Sequence, residues 1–317
     1  MRTVLADEAT EFAAVVERAV RRAGGFELVA RAERGEPAAD EVERAFAELG
    51  VWDLRARDGD VDAEVAAAVC RSAGRWALPY PVAERLAGHP AAGYDAVALA
   101  TARGPRINLH RDGLRWLVSD GLTSTAPVTS VGEPLGTKLG SLVRDAEVGA
   151  WSEDADVAPL SHVFGCWVLL GMCETALDLT RQHLLDRHQF GKPLASFQAL
   201  QFRLADTAAA LQGFGELAKY TLWSVTTAQV GRAGDALALR LSALETAETV
   251  FRTAHQLHGA MGFCDEVPLS WLSRYSQPIR RLPWGRSETE VRLLQAIETV
   301  PFAGLFSSGD AGAILVQ

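Results

Sequence analysis

Two short stretches of the chain gather side chains that can do chemistry. In DRHQFGKPLASFQALQFRLADTA, which starts at Asp186, an arginine, a histidine, an aromatic, a glycine and a proline fall between Arg187 and Pro193. Arg187 offers a planar, permanently charged fork that suits the paired oxygens of a phosphate. Gly191 permits a tight turn. Without further information this is also what an ordinary loop with a helix-capping arginine would look like. In the second stretch, HQLHGAMGFCDEVPLSWLSRY, His255 and His258 lie one helical turn apart. That spacing suits a metal, but no acid completes a site, so no metal is expected. His188 reads as a surface or stacking residue.

Composition narrows the classes. The chain has 317 residues, 48% of them hydrophobic and 22% charged, ordinary for a globular protein. A net charge of -9 argues against a nucleic-acid backbone or an anionic membrane as partner. It leaves room for a local basic pocket that takes an anionic cofactor. The start, MRTVLADEATEF, lacks the apolar core of a signal peptide, and no apolar run is expected to span a bilayer. A cytoplasmic protein with free, buried thiols at Cys70, Cys166, Cys173 and Cys264 is the expectation. Cys166 and Cys173 share a helix face and read as core packing.

The elements that must position these stretches fall into three textures. Residues 1–95 read as a helical domain, with EATEFAAVVERAVRRAGG, DEVERAFAELG and VDAEVAAAVCRSAGRWAL as its helices. Residues 96–152 carry short apolar runs between Asp-Gly and Gly-Pro punctuation, a small β domain of about five strands. Residues 153–303 read as four long helices with short connections, a four-helix bundle. The first is expected from Leu160 to Asp186. The second follows an N-cap at Ser196 and buries Phe197, Leu200, Leu204, Ala208 and Leu211. The third runs from Asp235 to His258 with Leu237, Leu241, Leu244, Ala247 and Phe251 on one face. The fourth follows Ser287. The tail, 304–317, is expected to be at best partly ordered.

The first stretch resembles a signature of the flavin-dependent acyl-CoA dehydrogenases, Arg-x-x-Phe-Gly-x-x-(Ile/Leu)-x-x-(Phe/His)-Gln between two bundle helices. The second is similar to that family's Gln-x-x-Gly-Gly-x-Gly-(Phe/Tyr) segment. The order and the helix–β–helix plan agree. The resemblance implies a mainly α, acyl-CoA dehydrogenase-like fold with an N-terminal helical domain, a reduced β domain and a C-terminal four-helix bundle. It implies FAD, bound mainly by a neighbouring subunit and met by this chain through Arg187 at the pyrophosphate, Phe190 and Gly191 beside it, and Gln256, Gly259 and Ala260 on the same dinucleotide.

Other parts of the family pattern are missing. The glutamate that removes the α-proton would fall at Trp284 or Arg286 in RRLPWGRSETEVRLL, or at Ser161, followed by His162, on the first bundle helix. None is a carboxylate, so no catalytic residue is assigned. Glu288 and Glu290 read as first-turn acids of the last helix. The flavin-lining segments of the β domain are not reproduced by TSTAPVTSVGEPLGTKLG or LRWLVSDG, and Trp116 reads as packing. This pattern resembles the shortened subunits of α2β2 heteromeric acyl-CoA dehydrogenases of actinobacterial steroid side-chain breakdown. It implies a full-length partner subunit that supplies the base, an acyl-CoA substrate and an electron-transfer flavoprotein as acceptor. Two alternatives stay open: a self-sufficient flavoenzyme with a displaced base at Glu288 or His162, and a non-catalytic acyl-CoA-binding or scaffold protein.

Overall fold

A computed structural model of the chain describes residues 4–100, 105–134 and 143–302. The expected tail, and the end of the TSTAPVTSVGEPLGTKLG segment, lie outside them. The N-terminal helices are α1 (Asp7–Arg22), α2 (Glu27–Glu33), α3 (Ala38–Glu48), α4 (Asp60–Arg75) and α5 (Val82–Leu86). Two of these, α2 and α5, were not expected; both are too short to show a clear period. α1 buries Ala9, Val16 and Val20, and α3 buries Val42 and Phe46, each at helical spacing. The chain leaves α3 through Gly50, whose φ of 71° favours glycine.

The β domain holds β1 (Ala96–Leu99), β2 (Arg106–Asn108), β3 (Trp116–Ser119), β4 (Ser124–Pro134), β5 (Val143–Val148) and β6 (Ser152–Glu153). The strand order is β1-β3-β4-β5-β2, with β6 on β4. Only β1 and β3 pair in parallel among the described strands. The strand beyond the expected five is the two-residue β6. Ala96, Ala98, Ile107, Trp116 and Val118 form a small core of their own. Trp116 is buried there, donates Nε1–H to the Arg111 carbonyl and stacks on His110.

The C-terminal region contains α6 (Val157–Asp186), α7 (Gln198–Thr226), α8 (Arg232–His258), α9 (Pro268–Arg281) and α10 (Arg286–Thr299). Here α6, α7, α8 and α10 are the four expected helices. The sequence reading missed α9, which packs on α6. A 30-residue helix, α6 is long and apolar enough to cross a membrane by length and composition, contrary to expectation. Its apolar surface is consumed instead by packing: Leu160, Val163, Phe164, Trp167, Leu170 and Cys173 are all buried. Cys70 and Cys166 are buried as well, but Cys264 is exposed, against the expectation of four buried thiols.

A single continuous core joins the N-terminal helices to the bundle. Its tightest point is the α4–α6 crossing. A Cβ added at Gly74 would sit 1.9 Å from the Val168 carbonyl oxygen, and one at Gly171 1.9 Å from that of Arg71. Beside the crossing, Glu174 accepts from both Arg71 and Arg75, and Arg75 reaches Glu17 on α1.

Two details of α7 differ from the sequence reading. Ser196 does not cap it: its hydroxyl donates to the Pro193 carbonyl, and the helix starts at Gln198. The buried stripe runs through Thr207, Leu211, Phe214, Ala218 and Leu222, leaving Ala208 exposed. The helix thereby turns Phe202 to solvent, 60% exposed.

Candidate functional site

The knot between α6 and α7 is a two-residue β-hairpin. β7 (His188–Gln189) pairs with β8 (Lys192–Pro193), and Phe190 and Gly191 form the turn with φ of 53° and 80°. Two successive positive φ values make the mirror-image turn that suits the right-handed twist of strands. Glycine accepts this freely, whereas a bulky aromatic rarely does. Phe190 is nonetheless held there 88% exposed, its ring 6.1 Å from Phe197. Lys192 lies over the Phe197 ring, its Nζ 4.3 Å from the centroid.

Arg187 ends α6. Its backbone closes on both sides, N–H to the His183 carbonyl and carbonyl to the Leu194 N–H. The guanidinium makes no hydrogen bond or ion pair with the described residues, and the side chain faces solvent. The second motif ends α8 in the same region of the molecule. His183 of α6 and His258 of α8 stack with ring centroids 4.5 Å apart. Four residues beyond His183 is Arg187; one beyond His258 is Gly259, whose φ of 60° and ψ of -143° only glycine tolerates. Gln256 shares an open cleft with Ala199, Phe202, Arg203 and Thr253 at the start of α7.

All six residues named from the sequence, Arg187, Phe190, Gly191, Gln256, Gly259 and Ala260, are therefore exposed around one end of the bundle, and none points into the chain's own interior. The neighbouring imidazoles are held below their ordinary range. Burial does this first for His183, aided by His258 and Arg187; burial and His258 do it for His255; burial does it for His258. Neutral rings leave Arg187 as a fixed positive charge beside the hairpin. His188 is exposed, as expected of a surface residue. Among the described residues no cluster of His, Cys, Asp or Glu suits a metal.

The interior position that would carry a base has a different character. Ser161 is buried and donates to the Val157 carbonyl. His162 is buried, with Nε2 2.9 Å from the Gly121 carbonyl oxygen, and burial, then Arg240, pushes its pKa down to about 3. Its ring lies 5.8 Å from that of Trp284. Trp284 and Pro283 are seated on Gly121 so closely that an added Cβ there would lie 2.8 and 2.7 Å from them. Glu288 and Glu290 are remote from this pocket in character: they pair with Arg292 and Arg286 along α10. The chamber that remains is about 50 Å³, lined in part by Glu84, Asn108, Ser161, His162 and Arg240. Sites for cofactor-sized ligands run to about 300–1,000 Å³. The outward residues thus fit the phosphate-bearing half of a dinucleotide approaching from outside, and the chamber beside Ser161 and His162 is too small for a flavin ring.

Sequence reasoning missed Glu84, Asn108 and Arg240. Arg240 is 3% exposed and donates to the carbonyls of Leu282 (2.7 Å), Trp284 (2.6 Å) and Ile279 (3.3 Å). A signal existed: it falls between Leu237 and Leu244 at helical spacing, on the buried stripe of α8. Glu84 left none. Burial pushes its carboxyl up to about 7, with no carboxylate partner among the described residues other than its own backbone N–H.

Residues 163–297 match the family model of the acyl-CoA dehydrogenase C-terminal domain. A 109-residue segment is 34% identical to 3-sulfinopropanoyl-CoA desulfinase of Paraburkholderia xenovorans (strain LB400), spanning 34% of this chain and 27% of that relative. In three dimensions the chain is similar to a chain of the ChsE4-ChsE5 complex from Mycobacterium tuberculosis, with a TM-score of 0.76, 20% identity, and coverage of 95% and 100% of the two chains. It is similarly close to a chain of the Tcur3481-Tcur3483 steroid ACAD, with a TM-score of 0.75, 20% identity, and coverage of 93% and 99%. At such identities the likeness to the solved structures is one of fold.

Proposed function

The C-terminal bundle belongs to the acyl-CoA dehydrogenase family and the whole chain has that family's fold; from this premise we propose that the protein is the short subunit of an FAD-dependent acyl-CoA dehydrogenase. In this reading a full-length partner subunit holds most of the FAD and supplies the catalytic glutamate, in a cytoplasmic α2β2 assembly. The acyl-CoA, a steroid side-chain ester in the form favoured here, is α,β-desaturated in the partner's pocket, and an electron-transfer flavoprotein takes the electrons. The two-chain steroid ACAD among the structural neighbours supports both the pairing and the substrate class.

The observation that carries the reading is the split between the two halves of the site. The residues that suit a dinucleotide are all turned outward, while the inward chamber beside Ser161 and His162 measures only about 50 Å³. A flavin bound at the assembled site supplies the hydride acceptor. This chain's part is positional. The Arg187 fork holds phosphate oxygens, the Phe190–Gly191 turn brings apolar surface and bare backbone to the cofactor's edge, and Gly259 lets the end of α8 approach without a side chain in the way.

One observation favours a second reading, in which the chain carries its own base. Glu84 is a carboxyl lining the same chamber as Ser161 and His162, with a pKa near the range a general base needs. The size of that chamber weighs against it. Flavin counting separates the two. Co-purified with its partner, the assembly should hold about one FAD per two chains and the short chain alone should be colourless. One FAD per chain, or a yellow isolated chain, overturns the first reading.

A further inference from the structure

The chamber beside Ser161 and His162 is lined by apolar residues, Val97, Ala98 and Leu99 of β1 and Pro278 and Ile279 of α9 among them, and by polar groups from α5, β2, α6 and α8. Three of its lining residues are each more than nine-tenths buried and carry a polar atom with no hydrogen-bond partner: Asn108 Oδ1, His162 Nδ1 and Arg240 Nε. The donor and acceptor roles of these atoms follow from their surroundings. His162 is neutral at physiological pH, and its Nε2 faces the carbonyl of Gly121, which only accepts. Nε2 therefore carries the proton, and Nδ1 presents a bare lone pair. Asn108 Oδ1 also accepts, and Arg240 Nε–H donates.

We propose that this chamber is a binding site for a small, neutral guest that both donates and accepts hydrogen bonds, and that in the folded protein the guest is a cluster of about three ordered waters. The volume of about 50 Å³ agrees, since each water needs about 10–15 Å³ of such space. Other occupants fit worse. An anion would satisfy Arg240 but has no proton for His162 Nδ1 or Asn108 Oδ1, and it would meet the Glu84 carboxyl. A cation would meet the Arg240 guanidinium. An acyl chain would leave all three polar atoms desolvated and unpaired.

The guest also bears on the turn beside the chamber. Arg240 spends its other N–H groups on the carbonyls of Ile279, Leu282 and Trp284, the turn that lays Trp284 against His162. Hydration of Nε gives this buried cation a fourth partner and so helps hold the turn in place. This rests on the reading that neither flavin nor acyl group enters the chamber.

Crystals of the full chain, with its partner where needed, test the proposal at a resolution that shows solvent. Ordered waters are expected within about 2.7–3.2 Å of Arg240 Nε, His162 Nδ1 and Asn108 Oδ1. The same crystals under xenon pressure should show none in this chamber, because xenon enters dry apolar cavities. In Asn108→Leu, the water nearest position 108 should vanish while the one on Arg240 stays. Xenon in the chamber, an anion on Arg240, direct pairing among the three side chains, or an unchanged set of waters in Asn108→Leu would each overturn the proposal. None of these outcomes alters the flavin count, so failure here is distinct from failure of the proposed function.

Discussion

Replacing Glu84 by glutamine should stabilise the protein above neutral pH and change it little in mild acid. Burial raises the carboxyl from its ordinary 4.5 to about 7 in the folded state. Folding is therefore linked to proton uptake at this residue. The stabilising contribution of the proton is fully present below the unfolded value and is lost as pH rises through the folded one. Each unit of pKa difference corresponds to about 1.4 kcal/mol, so the full effect is on the order of 3 kcal/mol. Between about pH 5 and about pH 8 some 2–3 kcal/mol of it should be lost. Glu84→Gln keeps the size and hydrogen-bonding capacity and removes the titration, so it should recover most of that loss at the upper pH. His162 works in the opposite sense. Its pKa is lowered to about 3, so its contribution is present above the ordinary imidazole range and is lost as pH falls. A wild-type profile alone mixes the two; the difference between wild type and Glu84→Gln isolates the carboxyl. Urea unfolding at several pH values, followed by circular dichroism, gives that difference directly. A difference that is flat with pH would refute the reasoning and place the Glu84 carboxylate in contact with bulk water.

Arg187→Ala should weaken FAD retention by the assembled enzyme by about 1.5–3 kcal/mol, and Arg187→Lys should restore only part of it, because the planar fork is lost; flavin release followed by fluorescence measures both, and an unaltered alanine variant would return Arg187 to a helix-end role. Glu288→Gln and Glu290→Gln should leave turnover within a few-fold, since each carboxylate serves a pair along α10; a loss of about 10²–10⁴-fold in an assembled, yellow complex would make that residue the base. Gly74→Ala should destabilise the chain by about 1–3 kcal/mol or more, because the new methyl meets the Val168 backbone at the α4–α6 crossing; thermal melts would read this, and an unchanged melt would mean that the two helices can separate freely. The isolated chain should associate in sedimentation, given Phe190, Phe202, Phe263 and Leu294 exposed on its surface, and a clean monomer would count against a partner-covered face.

Much of this molecule was legible in its amino acids because local rules act over one or two helical turns. Apolar spacing marked α1, α7 and α8, acids with a glycine stop marked α3, and Ala-rich or apolar runs marked α4 and α6. The Arg-x-x-Phe-Gly and Gln-x-x-Gly stretches named the bundle's family and the six outward residues. Their exposure, and the meeting of the two stretches through the His183–His258 stack, needed the chain's long-range packing. So did the α7 stripe: Thr207 and Ala208 are both acceptable helix residues, and only the position of α8, whose Thr253 hydroxyl lies 3.3 Å from that of Thr207, decides which is inside. α9 escaped the sequence reading; it carries two prolines, Pro278 inside the helix and Pro268 in the first turn, where no N–H is missed. The chamber was the least legible feature. Glu84 sits half-buried in a five-residue helix, with nothing nearby in sequence to mark its carboxyl as desolvated. Its raised pKa comes from desolvation, a property of everything packed around it. Arg240, His162 and Asn108 come from three separate elements, and their unpaired atoms exist only where those elements converge. Periodicity tells which face of a helix turns inward; what that face meets depends on partners distant in sequence, and the chemistry of the interior is decided there.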